Sequence, residues 1–328
     1  MLIDSHGRKV NYLRLAVTDR CNLRCFYCMP ENGIKYVLRK DLLSFEEMYR
    51  LVKMLSHEGV DKLRITGGEP FVRKGIMEFL QETSKISGIN EINVTTNGTF
   101  TKSKIQELAK LGINSINLSL DSLNPKRFKE ITRRDYFTEV METYHELLNT
   151  EIKVKINMVV MKNKNIDDIY PMIELGKNDN VGIRFIEEMP FNGTLGQGNQ
   201  ELWPMKSILK HISKRYEFEK IPDAPSSTSV NYRVKGYKGT FGIIAAFSRT
   251  FCGTCNRIRV TPQGELKTCL YDGGAMSIRD IMRSGADDAE LLESIKKALK
   301  LKAKDGFLAE KRHRSVNPIS ESMATIGG

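Results

Sequence analysis

No stretch of the 328 residues stays apolar for the roughly 18 positions that a membrane-spanning helix needs. The opening, MLIDSHGRKVNYLRL, also lacks the apolar core of a secretory signal, which points to the cytosol. Lysine and arginine nowhere form a block of five or six. The densest run, KRHR at 311–314, reads as a solvated segment rather than a binding patch. Histidine is scarce, with five residues (6, 57, 145, 211 and 313), and none is spaced as a companion to the cysteines. Cysteine itself numbers only six. These shortages speak against a membrane protein, a disulfide scaffold and a histidine-rich metal site.

What is present is a soluble composition, 40% hydrophobic and 28% charged, on a chain long enough for one large domain or two ordinary ones. The formal charge of +11 calls for an anionic partner: nucleic acid, a membrane surface or a small polyphosphate.

From residue 12 to 187, short apolar strands alternate with amphipathic helices. The strand candidates span 12–17, 62–66, 91–95, 114–119, 152–160 and 182–188. The first helix opens with Ser44 and Glu47 in capping-box spacing, followed by Met48, Leu51, Val52 and Leu55 at helical spacing. Such alternation predicts a parallel sheet. Its strands are two-faced, however. Ile152, Val154, Ile156 and Met158 share one side of the fifth strand, and Lys153, Lys155 and Asn157 the other. Thr95, Asn117 and Ser119 lie opposite apolar neighbours, while Arg14 and Arg64 sit between them.

Parallel sheets rarely leave one face open to water. The reading is therefore an α/β fold, a partial (β/α)6 barrel of TIM type, with helices outside, a polar lumen inside and the site at the strand C-termini. The remaining alternative is a sheet with one solvent-exposed face. A boundary is expected near 190, giving a barrel over 1–190 and a second region over 191–328. That region holds strand candidates at 231–237 and 239–247 and a helix at 288–304.

The cysteines form two triads. Cys21, Cys25 and Cys28 stand in C-x3-C-x2-C spacing directly after the first strand, and Cys252, Cys255 and Cys269 in C-x2-C-x13-C spacing near the end. Three thiolates can hold three corners of a [4Fe–4S] cluster and leave one iron open, whereas an electron-transfer site would supply a fourth cysteine. Zinc with a more distant ligand is the alternative at the first triad.

The first spacing, with Tyr27 before the last cysteine, resembles the signature of the radical S-adenosylmethionine superfamily. The pair of triads resembles the GTP 3′,8-cyclase family, which opens molybdenum cofactor biosynthesis. The resemblance runs from LRLAVTDRC to the terminal glycines. It implies two [4Fe–4S] clusters, held by Cys21, Cys25 and Cys28 and by Cys252, Cys255 and Cys269. It further implies S-adenosylmethionine bound by Tyr27, Gly67, Gly68, Glu69, Ser119 and Met189. GTP would be bound by Arg14, Arg64, Thr95, Lys155, Arg184, Arg257 and Arg259, with its guanine on the open iron of the second cluster.

Of these, Arg14, Arg64 and Lys155 belong to the polar lumen face on periodicity alone; singly, each could equally be a snorkelling surface side chain. Gly327 and Gly328 would form a tail that enters the active site and assists catalysis; the bland reading is a frayed terminus. The implied reaction is radical cyclisation of GTP to 3′,8-cyclo-7,8-dihydroguanosine 5′-triphosphate. The implied partners are an electron donor such as a flavodoxin or ferredoxin and a downstream pyranopterin synthase, with neither nucleic acid nor membrane, for a monomer or homodimer. Another twin-cluster radical enzyme that matures a peptide or an enzyme is the first alternative, and a basic zinc module for nucleic acid the second.

Overall fold

The computed structural model describes residues 1–189, 202–314 and 322–327. Six parallel strands arise in chain order: β1 (Tyr12–Ala16), β2 (Lys62–Thr66), β3 (Glu91–Thr96), β4 (Ser115–Ser119), β5 (Lys153–Val160) and β6 (Gly182–Glu187). Each pairs with the next in parallel. The helices between them are α1 (Phe45–His57), α2 (Ile76–Ser84), α3 (Ile105–Lys110), α4 (Pro125–Thr132), α5 (Phe137–Leu148) and α6 (Ile169–Leu175).

Local chemistry starts these elements where the spacing expects them. Ser44 accepts the Glu47 backbone N–H at 3.1 Å, and the Glu47 carboxylate accepts that of Ser44 at 2.7 Å, closing a capping box at α1. Met48, Leu51, Val52 and Leu55 are then buried against the sheet. Along β5, Val154, Ile156, Met158 and Val160 are buried in the apolar layer under the helices, with Lys155 and Asn157 on the opposite face. That opposite face is closed over: Arg64, Asn93 and Asn117 are all buried. The sheet with an exposed polar face is thereby ruled out, and the face lines a lumen.

The chain beyond the barrel contributes more than a packed-on region. After α7 (Met205–Ile212) come β7 (Phe218–Lys220), β8 (Ser229–Val234) and β9 (Thr240–Ile244), then β10 (Arg257–Val260), β11 (Glu265–Lys267) and β12 (Met276–Ser277). Here β9 joins β6 in parallel and β10 joins β1 in parallel, so the central strands are flanked on both sides. Antiparallel β8 and β7 continue one edge, and β11 and β12 the other, in a single twelve-stranded sheet. The six-unit partial barrel is thus extended by one parallel strand on each side, β10 beside β1 and β9 beside β6. The partners of β9 and β10 lie far away in sequence, so periodicity does not reveal the pairing.

The last helices are α8 (Ile278–Arg283), α9 (Asp288–Lys300), α10 (Gly306–Arg314) and α11 (Met323–Ile326). The helix expected over 288–304 ends at Lys300, and Lys302 turns inward to a buried position. Among the described residues, no helix is long and apolar enough to cross a membrane.

Candidate active site

The loop after β1 carries the first triad. A turn in which Cys28 and Met29 both donate to the Cys25 carbonyl at 2.9 Å gathers Cys25 and Cys28. Arg24 holds the Cys21 and Leu23 carbonyls at 2.7 and 2.8 Å. Behind this loop runs the end of β2, in close backbone contact. Gly68 N–H donates to Thr18 O at 2.7 Å and Glu69 N–H to Arg20 O at 2.8 Å. A Cβ on Gly67, which has φ +147°, would lie 2.4 Å from Thr18 O, and one on Gly68 2.2 Å from Arg20 O. Both glycines are thus required by the approach of one backbone to another.

The three cysteines open into a cavity of about 210 Å³, which Tyr27, Gly67, Gly68, Thr95, Ser119 and Met189 also line. All three are free thiols. Burial, followed by the Glu69 carboxyl, raises Cys21 to about 11. Burial, followed by Cys21, raises Cys28 to about 12. Cys25 is raised by burial and Asp121. Such a pocket keeps thiols protonated until something cationic takes them as thiolates. Among the described residues no three His, Cys, Asp or Glu side chains converge on a single metal ion. A four-iron cubane instead takes each thiolate on a separate iron, so a loop of three spread cysteines in one cavity fits that group.

The lumen wall beneath is cationic because sheet register aligns its basic residues. Arg14 stands opposite Arg64 on one side and Arg259 on the other, while Lys155 stands opposite Asn117 and Arg184 opposite Asn157. Arg64 donates to the Tyr12 hydroxyl and, at 3.4 Å, to Thr95 Oγ1. Burial and mutual repulsion push these groups down: Lys155 to about 7 and Arg184 to about 10, with Arg14 and Arg259 lowered in the same way. Tyr12, although buried, is drawn down to about 8 by Arg64 and Arg14. Cations crowded against one another in a buried lumen are stabilised by a polyanion. Among the described residues, Asn117 Oδ1 and Asn157 Oδ1 are buried and have no partner.

The second triad lies at the β10 edge. Cys252 starts a short turn ahead of Cys255 and Arg257, and Cys269 follows β11. The Asp272 carboxylate shapes the last of these, accepting Thr268 N–H at 2.8 Å and Cys269 N–H at 2.7 Å. Burial raises Cys252 and Cys269. It acts on Cys255 as well, but Arg257 and Lys302 outweigh it and bring that thiol to about 6.

The tail joins the two triads. Ser322 Oγ donates to Cys28 O at 2.6 Å and caps α11. Ile326 is buried with Tyr271, Ala303 and Ala309, and against that cluster pack Cys269, Met189 and Met323. Met189 and Met323 also line the cavity of the first triad. Gly327 O accepts from Arg259 at 3.0 Å and from Arg14 at 3.4 Å.

Two family models divide the chain: residues 15–176 match the Radical SAM superfamily and residues 181–308 match Molybdenum Cofactor Synthesis C. A GTP 3′,8-cyclase of Syntrophomonas wolfei subsp. wolfei is 39% identical over 303 residues, covering 92% of this chain and 93% of that one. The chain belongs to the GTP 3′,8-cyclase family. The cofactors of that family are S-adenosylmethionine and two [4Fe–4S] clusters. The molybdenum cofactor biosynthesis protein 1 of Bos taurus is 40% identical over 296 residues, 90% of this chain but 47% of that protein. The chain thus spans about half the length of such relatives. Streptococcus suis SuiB, solved with bound S-adenosylmethionine, superposes with a TM-score of 0.57 over 90% of this chain and 70% of that one. At 14% identity it shows likeness of fold alone.

Within this cyclase-family chain, the structure gathers Cys21, Cys25, Cys28, Tyr27, Gly67, Gly68, Thr95, Ser119 and Met189 around one cavity. Arg14, Arg64, Lys155, Arg184 and Arg259 share the lumen face, and Arg257 is buried beside Phe251. Glu69 stands apart. Its side chain does not line the cavity; its oxygens accept from Phe71 N–H, Thr96 Oγ1 and Asn97 N–H at 2.7–3.1 Å. Gly328 and residues 190–201 lie outside the described residues.

Periodicity overlooked three groups. Asn97 Nδ2 donates to Cys21 Sγ at 3.6 Å, Tyr27 donates to Asp121 at 2.7 Å, and Lys302 sits beside Cys255. Asn97 and Asp121 lie one and two residues past the ends of β3 and β4, at the rim where a barrel of this type presents its site, and that rule could have found them.

Proposed function

We propose that the chain converts GTP to 3′,8-cyclo-7,8-dihydroguanosine 5′-triphosphate with S-adenosylmethionine, the first step of molybdenum cofactor biosynthesis. The observation that carries this reading is the continuity of the two cysteine triads. Met189 and Met323 border both, and the Arg14–Arg259 pair runs between them along the lumen. A substrate with a polyanionic end and a ligating base suits that arrangement.

Cys21, Cys25 and Cys28 would hold the first cluster, and Cys252, Cys255 and Cys269 the second. Bound together, the first cluster and S-adenosylmethionine supply a carbon-centred radical. The residues of the chain do the rest. Tyr27, Gly67, Gly68, Ser119 and Met189 would hold S-adenosylmethionine, and Glu69 would act by fixing the strand ends behind it. Arg14, Arg64, Lys155, Arg184, Arg257 and Arg259 would grip the triphosphate, with charge-assisted bonds that relieve their mutual repulsion. Thr95 would orient the ribose. Fixing both ends of the nucleotide brings C3′ and C8 together and removes the entropy of finding each other from the barrier. The buried lumen keeps water and stray hydrogen donors from the radicals. Gly327 and Gly328 would complete the wall from the tail.

We divide the chain at residue 190, into a radical S-adenosylmethionine barrel over 1–190 and a C-terminal region over 191–328 that carries the second cluster and the glycine tail. A flavodoxin or ferredoxin would supply electrons, and a pyranopterin synthase would take the product. Six free thiols fit the reducing cytosol.

The test is an anaerobic assay of the reconstituted chain with reductant, S-adenosylmethionine and GTP, following 5′-deoxyadenosine and cyclised nucleotide together. Both are expected with GTP and neither with ATP, and Cys252→Ala should abolish the nucleotide product. Cleavage of S-adenosylmethionine with no nucleotide product would overturn the substrate and favour a peptide- or enzyme-maturing reaction.

A further inference from the structure

Lys302 is a buried lysine that the reading above leaves without a task. It is 3% exposed, and its ammonium is held on three sides. It donates to Arg257 O at 2.9 Å and to Thr268 O, and it stands 3.8 Å from Cys255 Sγ. The two carbonyls belong to Arg257, which opens β10 two residues after Cys255, and to Thr268, just before Cys269, so the ammonium bridges the segments that carry the second and third cysteines of the triad.

Its position is fixed from behind by the N-terminal segment. His6 Nε2 lies 3.1 Å from Lys302 O. Arg8 holds Ala303 O at 2.8 Å, Lys304 O at 2.7 Å and Cys252 O at 3.0 Å, and is itself paired with buried Asp4 at 2.6 Å. A flexible lysine at a surface would cost ordering entropy each time it met a partner. This one is already ordered, and the same clamp reaches Cys252.

The two triads differ in the charges around them. Cys21 and Cys25 of the first have the carboxyl groups of Glu69 and Asp121 as their leading charged neighbours, with Arg24 a weaker one at Cys21, and the hydrogen bond to Cys21 Sγ comes from the neutral amide of Asn97. In the second, Cys252 and Cys269 each have one carboxylate and one cation nearby, while Cys255 has two cations, Arg257 and Lys302, among its leading neighbours. One-electron reduction adds a negative charge to a cluster. Hydrogen bonds to its sulfurs and nearby charge are among the protein's levers on the potential.

Resting on the assignment of a cluster to Cys252, Cys255 and Cys269, we propose that Lys302 is a positioning residue that sets the potential of that cluster above the first by presenting its ammonium to Cys255 Sγ. Electrons from a one-electron donor then settle first on the substrate-holding cluster, while the cluster that works on S-adenosylmethionine stays the stronger reductant.

The experiment is an anaerobic dithionite titration of the reconstituted full-length chain, followed by electron paramagnetic resonance. The first cluster is recognised by the signal that changes on adding S-adenosylmethionine, the second by the signal that changes on adding GTP. In Lys302→Met, both clusters are expected to assemble. The midpoint of the second should fall while the first, measured in the same sample, stays put. Lys302→Arg should restore most of the shift. Two unmoved midpoints would overturn the proposal, and so would a Lys302→Arg variant that behaves like Lys302→Met. Loss of the second cluster from both variants, with circular dichroism unchanged, would also overturn it and make Lys302 a structural tie. Iron content of the parent chain, measured first, reports separately on the underlying cluster assignment: iron for one cluster only would sink that reading before any variant is made.

Discussion

Lys155 shows how much one residue can report on the lumen. Burial, then Arg184, Arg64 and Lys62, bring it to about 7 from its ordinary 10.5. Between those values the unfolded chain binds more protons than the folded one, so stability of the ligand-free protein should rise with pH across that window. The cost of holding the charged lysine is fully present below about pH 7. A bound triphosphate reverses the balance, because an anion beside the ammonium restores its ordinary basicity. Binding of GTP near pH 8 is therefore expected to take up a proton, approaching one per nucleotide, and to take up almost none at Lys155 near pH 6. Calorimetry in two buffers of different ionisation enthalpy measures this, and Lys155→Met should abolish the uptake. Equal uptake by the variant would remove Lys155 from the site. Alternation along β5 was enough to put this residue on the polar face. Its depressed basicity was not legible, since that depends on Arg184 and Arg64 arriving from other strands. Arg259 was less legible still: only the parallel pairing of β10 with β1, some 240 residues earlier, sets it opposite Arg14.

Elements of regular period were readable, and short ones were not. The six central strands and α1 carry enough repeats for their faces to be told apart. By contrast, β7, β10, β11 and β12 have two to four residues each and owe their existence to their partners. The tail helix α11 is the extreme case, four residues long and seated by what surrounds it. Gly327, expected as part of a tail that enters the active site, caps this helix, and the structure gives a local reason for a glycine there. Gly327 has φ +72°, and a Cβ there would meet Thr66 Oγ1 at 2.7 Å and Ala16 Cβ at 2.9 Å. Gly327→Ala should cost about 1–2 kcal/mol of tail docking from the left-handed backbone alone, before the clash is added. Amide exchange over 323–327 is then expected to quicken roughly tenfold or more, with β1 and β2 unchanged. Unaltered exchange in the tail would mean that the seat against Ala16 and Thr66 does not hold it.

At the scale of the whole molecule, sheet edges decide what can fold. A boundary near 190 matches the change of texture along the chain, yet β1 lies between β2 and β10, and β6 between β5 and β9. Cutting the chain there would strip partners from Tyr12 to Leu15 on one side and from Gly182 to Ile186 on the other. Two bare parallel edges would flank a buried polar lumen, and exposed edges of that kind recruit other chains. The lumen cations would be left as well, since Arg14 would lose the Gly327 carbonyl it shares with Arg259. A fragment of residues 1–189 is accordingly expected to aggregate or to melt without a cooperative transition, while the full chain stays dispersed and melts sharply. Light scattering coupled to size exclusion, with thermal circular dichroism, would decide it. Supplying residues 202–328 in trans should rescue part of the cooperative fold, because β9 and β10 can cover the edges without a covalent link. A monomeric fragment with a sharp transition of its own would mean that the edges tolerate exposure. The six-strand barrel would then be an independent domain, and the C-terminal strands would serve the substrate site rather than the fold.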